Sequence, residues 1–228
     1  MSTLTVLLKS DRIHILTDST VIDEKTRRYS CDTEKVRILK KTNIVMIVQG
    51  LWIHTEMLQY VFEATTKIYE DALITGRQLK TFFDLIKNNA DARPDAWWNL
   101  VIAGFGEKGP QAHTMSNKPD PLQGRKPWEW WEAPVPGFLM APPPRAETLG
   151  AILDADNPEP LFPQLLQEQR AKSFEHSSRI EIGGRVTHML ITEGGIAKRE
   201  IGGWPDELGQ PLNPFLKFAP AKPTKAAA

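Results

Sequence analysis

The sequence predicts an α+β fold in which helices pack outside antiparallel sheets. Three observations carry this expectation. Both ends of the chain read as β-hairpins, with short apolar strands joined by polar or glycine-rich turns. After Gly50 the apolar period changes from two to about 3.6, the signature of helix. The resulting order is four strands, two helices, three strands, one or two helices and closing strands. Two antiparallel sheets stacked face to face with helices outside would bury all of it, and the order permits that arrangement among others.

Residues 2–8, a polar turn at 9–12 and residues 13–17 form the first hairpin, which ends on Asp18-Ser19-Thr20. A looser, charged connection leads to Lys35-Val36-Arg37-Ile38-Leu39-Lys40-Lys41, a turn at Thr42-Asn43, and Ile44-Val45-Met46-Ile47-Val48 before Gln49-Gly50. That unbroken apolar run reads as a strand buried on both faces. Ile53, Met57, Val61, Ala64, Ile68 and Ala72 recur at helical spacing and predict one inward helix face. Thr75 and Gln78 have capping-box spacing, so a second helix is expected from there. It carries Leu79, Phe82, Phe83 and Ile86 inward and ends before Pro94. A third hairpin joins residues 99–105 to 111–115 through a turn at 106–110.

Residues 116–134 combine Pro119, Pro121, Gly124, Pro127 and Pro134 with Trp128, Trp130 and Trp131, which predicts an irregular insertion. The tryptophans are expected to cover an edge of the core, with an interface or ligand patch as the other reading. Residues 135–141 read as a strand stopped by Pro142-Pro143-Pro144. A weak helix at 146–153 and a better one at 161–174 flank the Pro158-Glu159-Pro160 break. The closing hairpin sets 186–192 against 196–201 through Glu193-Gly194-Gly195. We expect one domain over residues 1–218 and a disordered Pro-, Lys- and Ala-rich tail over 219–228.

Composition narrows the function classes. With 228 residues and 41% hydrophobic content, the chain is long enough to bury a real core. Lys plus Arg equals Asp plus Glu at 28 each, so no net field argues for nucleic acid or an acidic membrane. Cys31 is alone, which excludes an internal disulfide and fits a reducing cytoplasm. No apolar run reaches transmembrane length and no signal pattern opens the chain, so a soluble, unexported protein is expected. His14, His54, His113, His176 and His188 show no metal-ligand spacing, and neither metal nor cofactor is expected. Gly104-Phe105-Gly106-Glu107-Lys108-Gly109 resembles a phosphate loop only superficially, because no helix follows it.

The chemistry suggested by the first fifty residues depends on Met1. An initiator methionine is removed when the next residue is small, and Ser2 is small. The freed α-amine titrates near about 7.7–8.0 and is a usable general base for the hydroxyl of the same residue. Asp18 and Lys35 would pair beneath that terminus, the ammonium raising the local positive potential.

These residues resemble the N-terminal part of a proteasome β-type subunit, especially the bacterial proteasome-like peptidase that works with an ATP-dependent unfoldase. The parent group is the N-terminal-nucleophile hydrolases. In that family the mature chain begins with a nucleophilic threonine, an aspartate closes the first hairpin, and a lysine opens the third strand. A small-residue turn after the second hairpin supplies the oxyanion-binding N–H. Ser2, Asp18, Lys35-Val36 and Gln49-Gly50 match those positions, with no gap between Ser2 and Asp18. The resemblance implies a four-layer αββα sandwich of two antiparallel sheets. It also implies self-association, in rings within the family, and a peptide or amide substrate if the site is active.

The chain also departs from the family. Where family peptidases have a serine in a Gly-Ser-Gly turn, the nearest segment here is Pro136-Gly137-Phe138-Leu139. With Gly183-Gly184 as anchor, the family's aspartate and serine are replaced by Arg179 and Ile182. Two expectations follow. One is an acyl-transfer peptidase or amidase with Ser2 as nucleophile, Asp18 and Lys35 as support, and N–H groups near Gln49 and Gly50 as oxyanion hole. The other is a catalytically silent relative that works by assembly or binding.

Overall fold

The computed structural model describes residues 3–23, 25–39, 42–50, 52–88, 93, 96–120, 124–175 and 181–221. Alternation along the strands decides its architecture. In β1 (Leu4–Leu8) and β2 (Ile13–Asp18), Val6, Leu8, Ile13 and Ile15 point to one side, and Leu7 and Leu16 point to the other. Strand β6 (Ile44–Gln49) is buried on both faces, as its continuous apolar run requires.

The remaining strands complete two sheets. The larger pairs β1 with β10 (Gly137–Ala141), and β2 with β11 (Arg185–Thr192), followed by β12 (Gly195–Gly203) and β13 (Ala219–Pro220). The smaller runs from β5 (Val36–Ile38) through β6, β7 (Asn99–Gly106) and β8 (Gly109–Ser116) to β9 (Trp131–Glu132). The charged connection after Asp18 forms a two-stranded ribbon of β3 (Thr20–Ile22) and β4 (Tyr29–Asp32), with Cys31 exposed on it. All these described pairings are antiparallel.

Three apolar clusters hold the sheets and helices together. Val6, Leu8, Ile13, Ile15, Met189 and Ile191 of one sheet meet Val45, Ile47, Val101 and Ala103 of the other. On its far side the larger sheet packs Leu7, Leu16 and Val186 against helices α3 (Ala146–Asp154) and α4 (Phe162–Glu175). The smaller sheet packs Met46, Val48, Leu100 and Ile102 against α1 (Trp52–Thr65) and α2 (Tyr69–Leu85). Burying each such aliphatic side chain is worth roughly 1.5–3 kcal/mol.

The helical repeat located α1 and placed Val61 and Ala72 against the core, but most of the inward face lies one residue along. His54, Thr55, Leu58 and Phe62 are buried, whereas Ile53 is 41% exposed and Ile68 56%. The chain breaks after Thr65 and restarts at Tyr69, because Asp71 accepts the N–H groups of Lys67 at 2.9 Å and Ile68 at 3.2 Å. An acidic cap there outcompetes the expected start at Thr75. Thr75 lies inside α2 instead, buried, with its Oγ1 2.8 Å from Thr65 Oγ1.

Trp128 and Trp130 pack against the helix-side cluster of the smaller sheet, and Trp131 packs against the intersheet core. The Trp130 indole N–H donates to the Leu73 carbonyl at 2.9 Å. At the other end, Ala219–Pro220, which composition placed in the tail, forms β13 against Gly202 and Gly203. Residues 222–228 lie outside the described residues. Among the described residues, no helix is long and apolar enough to cross a membrane.

Candidate functional site

Pairing of β1 with β2 sets Leu4 opposite Thr17 and brings Thr3 beside Asp18. The main-chain N–H of Thr3 donates to Asp18 Oδ1 at 2.9 Å. Ser2 itself lies outside the described residues. Lys35 precedes β5, which pairs with β6 so that Val36 faces Ile47. From there its Nζ reaches Asp18 Oδ1 at 3.1 Å. The Gly183 N–H donates to the other carboxylate oxygen at 3.3 Å.

This ion pair is withdrawn from water. The Asp18 side chain has 0% exposure and that of Lys35 10%. Burial pushes the Asp18 carboxyl up, although Lys35 and the Gly183 N–H pull it down. Burial likewise holds the Lys35 ammonium below its ordinary range, with Asp18 opposing. The proton on Lys35 is therefore easier to lose than in water, while Asp18 holds the side chain as an ammonium.

A second polar group holds the strand entering β11. Arg170, buried on α4, donates to Asp206 at 2.9 and 2.7 Å and to the carbonyls of Ile182 at 2.6 Å and Asn213 at 2.8 Å. Asp206 in turn accepts the Gly184 N–H at 3.1 Å. Gly184 has φ +64°, and a Cβ there would sit 2.8 Å from Asp32 Oδ1 and Ser19 Oγ. Gly183 is thereby held where its N–H meets Asp18. Gln169, fully buried, ties down Thr3: its Oε1 accepts from Thr3 Oγ1 at 3.1 Å, and its Nε2 donates to the Pro142 carbonyl at 2.9 Å.

Gln169, Arg170 and Asp206 were not singled out from sequence. The signal existed for two of them. The buried positions of α4 are Phe162, Leu165, Leu166, Gln169, Arg170 and Ser173, so the inward stripe turns polar in its later turns. Asp206 lies in an irregular segment and carries no such signal.

The other sequence candidates are placed as follows. Gln49 ends β6 opposite Asn99, whose Nδ2 donates to Gln49 Oε1 at 3.1 Å. Gly50 has φ +142°, and a Cβ there would lie 2.8 Å from the Trp97 carbonyl, so packing alone requires glycine. Lys35 and Gln49 lie toward the same end of the β5–β6 pair. Gly137 begins β10. Ile182 is buried in the apolar cluster under α3 and α4, and Arg179 lies outside the described residues. An open depression of about 620 Å³ lies at the opposite end of β6, lined by Asn43, Ile44, Tyr69 and Gly106 among others.

Chain spacing gave no metal signal for the histidines, yet the fold joins two of them. Pairing of β2 with β11 brings the His14 and His188 rings edge to edge and nearly coplanar, with centroids 5.3 Å apart and Nδ1 of the first 3.1 Å from Nε2 of the second. His176 lies outside the described residues. Comparison with models of known protein families gave no match, and comparison with curated proteins gave none either.

Proposed function

We propose that the chain is an N-terminal-nucleophile hydrolase, a peptidase or amidase that works by acyl transfer through Ser2 after loss of Met1. The observation that carries this reading is the buried Asp18–Lys35 pair, met by the N–H of the residue next to Ser2. An ion pair with one partner fully buried and the other nearly so is costly to desolvate and is weak evidence for a purely stabilising role. Its contact with the Thr3 N–H, one residue along from Ser2, supports a chemical use for it.

In this mechanism the Ser2 hydroxyl attacks the substrate carbonyl and passes its proton to the Ser2 α-amine. Lys35, held as an ammonium by Asp18, supplies the positive potential that favours loss of that proton. The C–O bond forms, and main-chain N–H groups near Gln49 and Gly50 receive the oxyanion. Collapse breaks the C–N bond, with the proton leaving on the amine product. Water then hydrolyses the ester and restores Ser2. The fold assigned to this reading is the four-layer αββα sandwich, working as a self-associated cytoplasmic assembly. Large apolar side chains exposed on α1 and α2, including Tyr60, Ile74 and Leu85, support a protein partner surface there.

A second reading has its own observation. Ile182, buried and apolar, stands where the family has a serine, and Gly137 stands near its Gly-Ser-Gly turn. A catalytically silent scaffold would tolerate both. Turnover of a mixed fluorogenic peptide library by the wild type, Ser2→Ala and Ser2→Thr separates the two. The hydrolase reading requires turnover that Ser2→Ala abolishes and Ser2→Thr retains in part. Hydrolysis undiminished in Ser2→Ala overturns it, and no turnover by the processed wild type favours the scaffold.

A further inference from the structure

We propose that His14, His188 and Glu159 together hold one divalent transition-metal ion of the zinc class. The three residues come from separate places in the chain: β2, β11 and the short helical turn Glu159–Leu161 that precedes α4. One ligand atom from each lies within 4.8 Å of those from the other two. His14 Nδ1 and His188 Nε2 are 3.1 Å apart. Two nitrogens bound to zinc at about 2.0–2.1 Å and a tetrahedral angle would stand about 3.4 Å apart, so only a small opening is needed.

The surroundings suit a metal of this kind. Both histidines are nearly inaccessible to solvent, with the Phe162 ring edge-on to each at 5.6 and 5.2 Å. A neutral imidazole offers a lone pair for a metal, and burial of both rings favours the neutral form. The 3.1 Å contact between His14 Nδ1 and His188 Nε2 is of hydrogen-bond length, and His14 Nε2, the ring nitrogen turned away from it, is buried with no hydrogen-bond partner among the described residues. Glu159 Oε1 lies 3.9 Å from His188 Nδ1, the ring nitrogen other than the one that faces His14. The carboxylate reaches the shared position within the 4.8 Å span of the three ligand atoms, while its Oε2 is held by Arg199. A carboxylate fixed through one oxygen and free at the other is a common arrangement around metal ligands. Two imidazoles and one carboxylate favour zinc, cobalt or nickel over magnesium or calcium, and leave a fourth position for water.

The site is separate from the proposed nucleophile. His14 lies four residues before Asp18 on β2, about 13 Å along the strand. An ion there would pin β2, β11 and the entry to α4 together.

The test uses the full chain stripped with a chelator and titrated with Zn²⁺ or Co²⁺. We expect one ion retained per chain after buffer exchange, with the intense visible absorption of four-coordinate Co²⁺. The thermal midpoint should rise on Zn²⁺ addition. Glu159→Gln and His188→Gln should each weaken binding by about 10-fold or more and remove that rise. Because His188 is buried, its variant is read only if circular dichroism matches the wild type; otherwise Glu159→Gln and the wild-type absorption decide. Failure of the wild type to retain an ion overturns the proposal. So does undiminished retention in Glu159→Gln together with a Co²⁺ spectrum that is unchanged.

Discussion

Removing the Asp18 carboxylate strips partners from Lys35, the Thr3 N–H and the Gly183 N–H at once. Asp18→Ala should therefore cost about 3–5 kcal/mol, because it leaves a cation buried without its counter-charge. Lys35→Met should cost a similar amount for the converse reason. The double variant should cost less than the sum, and urea unfolding of the four proteins measures the coupling. Costs that simply add would show that the two side chains do not depend on each other. His113 supplies a pH prediction. Burial holds its imidazole below the ordinary 6.5, with Glu132 opposing, and its Nδ1 lies 3.0 Å from the Tyr69 hydroxyl. Between the folded value and 6.5 the unfolded chain binds the proton and the folded chain does not. The contribution of His113 is thus fully present above pH 6.5 and is lost as pH falls toward the folded value. His113→Gln should lose less stability than the wild type between pH 7.5 and 5.5, and equal losses would contradict this.

At the scale of elements, Gly76 is where α2 meets the tryptophan-bearing insertion. A Cβ on Gly76 would stand 2.1 Å from the Trp130 ring, which is itself anchored to the Leu73 carbonyl. Gly76→Ala should cost about 1–3 kcal/mol through overpacking and shift tryptophan emission to the red, and Trp130→Ala should relieve most of it. Strands were the more legible elements in the sequence. The turns and short apolar runs marked the elements, whereas β1 and β2 carry apolar residues on both faces, Val6, Leu8, Ile13 and Ile15 on one and Leu7 and Leu16 on the other, so the element was legible and its face was not. Helix faces were legible only in part. The repeat Ile53, Met57, Val61, Ala64 is a valid helical stripe, but His54, Leu58 and Phe62 form another one residue away, and packing against Met46 and Leu100 selects the latter. The Asp71 cap was missed because capping by an acidic side chain three residues into a helix looks like ordinary surface charge.

Across the whole molecule, what the sequence could not encode locally is contact between distant segments. Asp18 and Lys35 could be related through a hairpin and a short connection. His14 and His188, or Arg170 and Asp206, meet only because β2 pairs with β11 and the chain after β12 returns over Gly183-Gly184. Assembly is the property of the proposed enzyme expressed at this scale. The purified protein should sediment as a defined multiple of 25.7 kDa, and Tyr60→Glu on the exposed side of α1 should shift it toward smaller species. A wild type that sediments as a monomer at micromolar concentration would argue against the assembly. The central claim concerns Ser2, and the intact mass of the protein purified from its own host tests it most directly. We predict a chain lighter by one methionine residue, beginning at Ser2 with a free α-amine. A mass that includes Met1 would mean that the proposed base does not exist and would contradict the hydrolase account.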